Sequence, residues 1–438
     1  MGAQEYARNL LLNSFHAALA AADPLRIVPR HLPPRLCKGG ISTPGRTLVV
    51  GAGKAAASMA LAVENHWQKG ARQDAPLDGI VLTRYGHGLP LKKIHVVEAG
   101  HPLPDEHGEQ ATRAILGEVK NLDANDFLLC LLSGGGSSLL SLPVDGVSIN
   151  DLRNVTAGLL RCGATIQEIN TVRKHLSAVL GGRLAASCRA PILALIISDV
   201  TGDDPTHIAS GPCAPDPTTY SDALAILDYY GINAPAAVME TLMTGTRGEL
   251  SETPKPGSAA FHKVENRVIA NAYGSLLAAK EYLERQGIPT VILSDAITGE
   301  AREVAKVLAS IAKEIRCHKQ PWKPPVALIS GGETTVTVHR NGRGGRNTEF
   351  LLSLATQLEG TEKIYALACD TDGIDGTEHN AGAIATSDSL RRAKQEGINA
   401  AALLAGNDAY TFFERLDDLI VMGPTRTNVN DYRAILIF

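Results

Sequence analysis

The chain has 438 residues, is 44% hydrophobic and only 4% aromatic, and carries a formal net charge of −4. That length predicts two or three domains with aliphatic, closely packed cores, as in α/β enzymes. No long basic run is present, so the electrostatic footprint of a nucleic-acid binder is missing, and no apolar run is long enough to span a bilayer. The seven cysteines, at positions 37, 130, 162, 188, 213, 317 and 369, include no C-x-x-C pair and read as reduced thiols. The N-terminus reads as an Ala/Leu helix rather than a signal peptide. The expectation is a cytoplasmic protein with no membrane or nucleic-acid partner.

In chain order, Leu and Ala at helical spacing predict an amphipathic helix over residues 4–22, then an irregular connector from Pro24 to Pro34. Thr47 to Val50 is a short predicted strand, which Gly51-Ala52-Gly53-Lys54-Ala55-Ala56 turns into a small-residue helix. Strands are predicted at Asp78 to Thr83 and Ile94 to Glu98. A rigid polar loop, Gly100 to Glu106, then precedes a helix from about Glu109. Phe127 to Leu132 is a strongly apolar strand ending in Ser133-Gly134-Gly135-Gly136-Ser137-Ser138. Helices run to about Ser187, and Pro191 to Ile197 is a buried strand ending in Ser198-Asp199-Val200-Thr201-Gly202-Asp203-Asp204-Pro205. From Asp216 the chain is helical and then loose, and the Pro, Gly, Ser and Glu of residues 246–257 mark a boundary between domains at 1–245 and 258–438. The second domain begins at Val268-Ile269-Ala270-Asn271. It continues through strands at Thr290 to Ser294, Pro325 to Ile329, Ile364 to Cys369 and Tyr432 to Ile437. Apolar strands alternating with helices predict an α/β fold with a parallel sheet covered on both faces, whose ligands bind at polar glycine turns beyond the strand ends.

Several turns carry candidate chemistry. Ser133 to Ser138 can wrap a phosphate with backbone N–H groups and hydroxyls. The plainer reading is a tight turn that needs glycine, and three glycines among three serines favour the phosphate. Lys54 stands at the first turn of a helix, where a cation opposes the dipole unless an anion is present. Gly51 to Ala56 also fits the dinucleotide fingerprint loosely. Its second strand ends in Thr83-Arg84-Tyr85 without the carboxylate that NAD requires, which leaves a weak NADP reading. Lys54 is not in a Walker loop either.

Further on, Ser330-Gly331-Gly332-Glu333-Thr334-Thr335 leads into a short β-branched strand, and Gly344-Gly345-Arg346-Asn347 opens a helix. Strand, glycine turn, strand, glycine turn, helix brings backbone close to an anion with helix N–H groups aimed at it. Arg346 can fork onto a carboxylate or phosphate there. Two acidic groups follow strands: Asp199, Asp203 and Asp204, and Asp370, Asp372 and Asp375. They suit Mg²⁺ or acceptance of a hydroxyl proton, although short acidic side chains also simply cap turns. The second group is not a calcium loop, because Ala381 stands at its twelfth position. The histidines lack zinc spacing, and no G-x-S-x-G elbow appears. The set predicts phosphoryl transfer. An NAD(P)H-dependent reductase is the rival enzyme, and a sensor that binds without turnover ranks third.

Taken in order, these motifs resemble the glycerate 2-kinases whose C-terminal half is the MOFRL domain, a family earlier named hydroxypyruvate reductases of tartrate degradation. The matching stretches are Gly53-Lys54-Ala55-Ala56, Gly100 to Glu106, Leu132 to Ser138, Asn170-Thr171-Val172-Arg173-Lys174-His175-Leu176-Ser177, Ser198 to Pro205 and Ile208-Ala209-Ser210-Gly211-Pro212. They continue with Ser330 to Thr335, Gly344 to Asn347, Asp370 to Gly376, and Gly423-Pro424-Thr425 with Thr427 to Asp431. The resemblance implies ATP-dependent phosphorylation of D-glycerate to 2-phosphoglycerate with a divalent metal, Mg²⁺. It implies a Rossmann-like three-layer N-terminal domain, a smaller MOFRL-type α/β domain and an active site in the cleft between them. It places the functional lysine on Lys54 and the functional arginine on Arg346, with Asp199 and Asp372 as further catalytic candidates. Gly53, Ser133, Gly134, Gly135, Gly136, Ser137 and Ser138 are implied to bind nucleotide, and Glu333, Asn347 and Arg173 to bind substrate. Asp203 and Asp370 are the metal candidates. The partners implied are a small hydroxy acid and a nucleotide, with room for a homodimer. Leu180 stands where the family usually has Lys, and Arg426 where it usually has Gly, which puts the acceptor's identity in question.

Overall fold

The computed structural model describes residues 2–33, 45–69 and 76–438. Cys37 and Pro34 lie outside them. The chain forms two units, Pro24–Ile269 and Met1–Asp23 with Ala270–Phe438.

The first unit is built on six strands: β1 Thr47–Ala52, β2 Leu77–Arg84, β3 Ile94–Ala99, β4 Phe127–Ser133, β5 Ile192–Ile197 and β6 Val264–Ala270. Their order is β3-β2-β1-β4-β5-β6, and β1 to β5 pair in parallel. Strands β1, β4 and β5 are buried along their whole length, as their unbroken apolar runs require in a sheet covered on both faces. The connecting helices begin on local signals. Helix Ile166–His175, for example, starts at a Thr165–Glu168 capping box.

The second unit holds β7 Thr290–Ser294, β8 Val326–Ser330, β9 Ile364–Asp370, β10 Gly382–Ala385, β11 Leu419–Ile420 and β12 Asp431–Ile437, in the order β11-β10-β9-β12-β8-β7. This sheet is mixed, unlike the parallel β1 to β5 of the first. Only β7 and β8 pair in parallel; β12 runs antiparallel between β8 and β9, and β10 runs antiparallel to β9. Residues 371–381 between β9 and β10 contain no helix, and a parallel return needs a longer crossover.

Several expectations change. The opening helix, Ala3–Ala21, belongs to the second unit, not the first. Its Ala7, Leu10, Leu11, Phe15 and Ala18 join a core with Leu276, Leu283, Leu367, Tyr432 and Leu436. Full burial is worth about 1.5–3 kcal/mol for each large apolar side chain, enough to dock a helix far from its sheet in sequence. The Pro24–Pro34 connector is largely a helix, Pro24–His31; Pro is tolerated at the first position because its missing N–H would have no partner there. The strand expected after Thr335 does not form. Thr335 makes an isolated bridge with Glu300, whose carboxylate also takes the N–H and hydroxyl of Thr337. The segment from Val264 does not open the second unit; it becomes β6 of the first sheet, so the division falls after Ile269 rather than at 246–257. Among the described residues, no helix is long and apolar enough to cross a membrane.

Candidate active site

In the first unit the strand order reverses between β1 and β4, and in parallel sheets ligands bind beyond the strand ends at such a reversal. The turns leaving these two strands are tied together. Lys54 N–H donates to the Gly134 carbonyl at 2.9 Å, and Ala55 N–H donates to Ser133 Oγ at 3.0 Å. Ser133 is therefore a buried strut between the turns, not an open phosphate ligand. Gly53, at φ 138°, has no room for a side chain, since a Cβ would stand 2.1 Å from Ser133 Oγ and 2.5 Å from its carbonyl oxygen. Gly53→Ala should cost about 1–3 kcal/mol through this overlap, seen as a lower urea midpoint; an unchanged midpoint would mean the junction relaxes freely.

Gly135, at φ 83°, passes beneath the His101 ring and beside the Lys54 side chain, with 3.0 Å and 3.6 Å from its Cβ position to them. Gly136 backs onto Ala209, and Ser137 Oγ accepts from Ser210 Oγ at 2.8 Å. Ala209 and Ser210 both have positive φ, at 50° and 55°, so the turn that supports the glycine loop is itself strained. Ser138 closes the loop by donating to the Gly135 carbonyl at 3.2 Å. Asp199 and Asp203 lie on the segment that leaves β5, the strand next to β4. Arg173, on the helix Ile166–His175, is buried, and its guanidinium donates to Asn170 Oδ1 at 3.4 Å. Burial pulls its pKa down to about 10, and no carboxylate pairs with it among the described residues.

The second unit gathers its charges where β8 and β9 end and β12 begins. Asp431 of β12 is the register partner of Asp370 in β9, and Arg433 is the partner of Ser330 in β8. Arg346, first residue of helix Arg346–Leu358, reaches this corner. Its Nε donates to both Asp431 oxygens at 2.9 Å, its Nη2 to Asp370 Oδ2 at 2.8 Å and its Nη1 to Glu333 Oε1 at 2.9 Å. Burial alone would lower its pKa, but the three carboxylates hold it well above the ordinary value. Arg433 is fully buried. It donates to Asp431 Oδ2 at 2.6 Å, to the Gly331 carbonyl at 3.0 Å and to Thr334 Oγ1 at 3.1 Å, which fixes the glycine turn.

The helix start is not left open to an outside anion, as the sequence had suggested. Asp375 fills it, accepting from the N–H groups of Asn347 and Thr348 at 2.9 and 2.8 Å and from Thr348 Oγ1 at 2.8 Å. Burial raises the Asp375 pKa, although these N–H and O–H donors oppose the rise. Asn347 is enclosed rather than ligand-facing, and its Nδ2 donates to Asp431 Oδ1 at 2.8 Å. Asp372 is also buried and caps its own turn through the Ile374 N–H at 2.9 Å. Of the residues expected around substrate, Glu333 alone in this corner is exposed.

The corner does not make a metal site by itself. Asp370 gives one oxygen to Arg346 and the other to the Asp372 N–H, and among the described residues no three His, Cys, Asp or Glu side chains converge on a metal. Sequence reasoning missed Asp431, Arg433 and the capping role of Asp375. The signal for the first pair was there: Asp431 and Arg433 alternate in an otherwise apolar strand, so both charges fall on one face.

A parallel sheet with a lysine–glycine junction at its reversal, carried with a second α/β unit that sets an arginine among three carboxylates, is the architecture of a two-unit α/β enzyme. Residues 10–243 match the domain of unknown function DUF4147, and residues 326–431 match the MOFRL family. The chain is 43% identical to a D-glycerate 2-kinase of Thermotoga maritima, over 88% of this chain and 89% of that protein. It is 48% identical to a provisionally named hydroxypyruvate reductase of Agrobacterium vitis, over 98% of this chain and 94% of that one. A crystal structure of glycerate kinase from Thermotoga maritima superposes with a TM-score of 0.86 at 40% identity, covering 99% of this chain and all of that one. The chain belongs to the glycerate 2-kinase family with a MOFRL domain.

Proposed function

We propose that the protein transfers the γ-phosphoryl group of ATP to the 2-hydroxyl of D-glycerate, giving 2-phosphoglycerate and ADP. The observation that carries this reading is the Lys54–Gly134 junction at the sheet reversal in a chain of this family. Backbone N–H groups of Gly134 to Ser138 and the hydroxyl of Ser137 hold nucleotide phosphates, while Ser133, Ser138 and Gly53 shape the loop. Lys54 neutralises charge on the phosphoryl group in flight, an electrostatic task suited to a reaction dominated by positioning. Arg346 clamps the glycerate carboxylate or the γ-phosphate, and Arg173 supplies a further cation for an anionic group. A bond forms between the glycerate O2 and the γ-phosphorus as the bond to the β,γ-bridging oxygen breaks. The hydroxyl proton goes to a carboxylate, Asp199 or Asp372. Bound Mg²⁺ would supply positive charge against the nucleotide phosphates, and Asp203 and Asp370 are the carboxylates that would contact it, since among the described residues no three ligating side chains form a site without the nucleotide. The scattered cysteines fit a cytoplasmic enzyme.

The reductase reading is weaker for a structural reason. Gly51, first glycine of the dinucleotide pattern, lies inside β1, where a Cβ would stand 2.3 Å from the Leu131 carbonyl oxygen. Its glycine serves strand packing, and β2 ends on Arg84 without a carboxylate for a ribose.

The test is phosphorus NMR of purified protein with ATP, Mg²⁺ and D-glycerate, beside a cuvette of NADH and hydroxypyruvate. A 2-phosphoglycerate signal with constant absorbance is expected. A 3-phosphoglycerate signal would keep the class and overturn the regiochemistry. Falling NADH absorbance without a phosphorylated product would overturn the kinase.

A further inference from the structure

The contacts of Arg346 differ in one respect that bears on how it meets a ligand. Its Nε and Nη2 are taken by Asp431 and Asp370, whose side chains are 0% and 5% exposed. Its Nη1 is taken by Glu333, whose side chain is 54% exposed. The main chain around Glu333 is anchored. Gly331 N–H donates to the Ser294 carbonyl at 2.8 Å, Gly332 passes within 2.3 Å (from its Cβ position) of Ile297 backbone atoms, and Thr334 is held by Arg433. The Glu333 side chain has no comparable anchor, since Arg346 is its one ion-pair partner among the described residues.

From this geometry we propose that Glu333 is a placeholder, competing with the anionic group of the substrate for the Nη1 edge of Arg346. The inference rests on the kinase reading for the identity of the ligand. A half-exposed ion pair contributes little, because water solvates both partners almost as well apart. A carboxylate or phosphoryl group that brings its own hydrogen bonds displaces it at small cost, and exchange for a carboxylate leaves the charge around Arg346 unchanged. Asp431 and Asp370 meanwhile keep the guanidinium in place. Glu333 is thus a positioning residue: it holds the arginine's outer edge and swings away when the ligand arrives. The shared chemistry is an anionic oxygen, from the glycerate carboxylate or a nucleotide phosphate.

Calorimetric titration of the full chain with D-glycerate, ATP and inorganic sulfate, each alone, tests this. In Glu333→Gln and Glu333→Ala, Kd is expected to fall roughly two- to fivefold, the size of an exposed ion pair, for whichever substrate brings its anion to Arg346. KM for that substrate should fall in parallel. Tightening of glycerate alone identifies the carboxylate, and tightening of ATP alone identifies a phosphate. Unchanged or weaker binding of all three probes, or no measurable binding in any protein, overturns the proposal. So does equal tightening in Glu303→Gln, a loss of charge at an exposed pair with Lys306 on a neighbouring helix. If sulfate or ATP binds more tightly in the Glu333 variants while the wild type phosphorylates no glycerate, the placeholder stands and the kinase reading fails.

Discussion

Arg346→Ala is expected to lower turnover by about a hundredfold or more, the usual consequence of removing a positioned charge from a phosphoryl- or carboxylate-binding site. It should also destabilise the second unit. Asp431 and Asp370 are buried, and the guanidinium is what offsets their desolvation. Breaking a buried pair from one side costs about 3–5 kcal/mol, because a buried charge is left unmatched. Arg433 reaches Asp431 but no other carboxylate of the corner, so it compensates only in part. Arg346→Lys separates the two effects. Lysine restores a positive charge, and most of the stability, without the planar fork that serves several oxygens at once. Turnover should stay depressed in Arg346→Lys while thermal unfolding recovers. Near-wild-type turnover in a folded Arg346→Ala or Arg346→Lys protein would remove Arg346 from the mechanism and leave it a structural residue.

The second large effect is expected at Lys54, with the opposite stability signature. The turn that carries it is held through backbone atoms: Gly53 N–H to the Leu82 carbonyl at 3.1 Å, Lys54 N–H to the Gly134 carbonyl at 2.9 Å and Ala55 N–H to Ser133 Oγ at 3.0 Å. Lys54→Ala keeps all of these. Thermal stability should therefore fall by about 1 kcal/mol or less, the ordinary loss for a half-buried side chain, while kcat falls by about a hundredfold or more. A folded Lys54→Ala enzyme with near-wild-type kcat would leave the glycine loop to hold the phosphates alone. Lost stability with modestly changed kcat would make the lysine part of the turn's scaffold.

These two residues also mark how far the chain could be read before its fold was known. The strand, turn and helix that carry Lys54 were legible because their context is local: an apolar strand, two glycines and a small-residue helix follow one another directly. The glycine turn at 133–138 was legible as a turn for the same reason. Arg346 was legible as a residue but not as a site. Its partners Asp431 and Asp370 are sixty-one positions apart in the chain and meet because β12 inserts antiparallel beside β9, opposite residue by residue. The head of its helix is closed for the same reason, since the carboxylate that fills it, Asp375, comes from a turn beyond the next strand.

What the amino-acid order determined by itself was therefore the set of local decisions: which runs are apolar enough to be buried strands, where glycine lets the chain turn under a ring or a carbonyl, and where caps start helices. Those depend on residues a few positions apart, whose sterics and hydrogen bonds act whatever surrounds them. The tertiary structure decided everything that depends on pairing. It set the antiparallel place of the last strand, docked the first helix on the second unit, made Ser133 a strut, and shared Arg346 among two buried carboxylates and an exposed one. Such outcomes turn on which distant surfaces bury each other most fully, and that competition is settled by the whole chain at once rather than by any stretch of it.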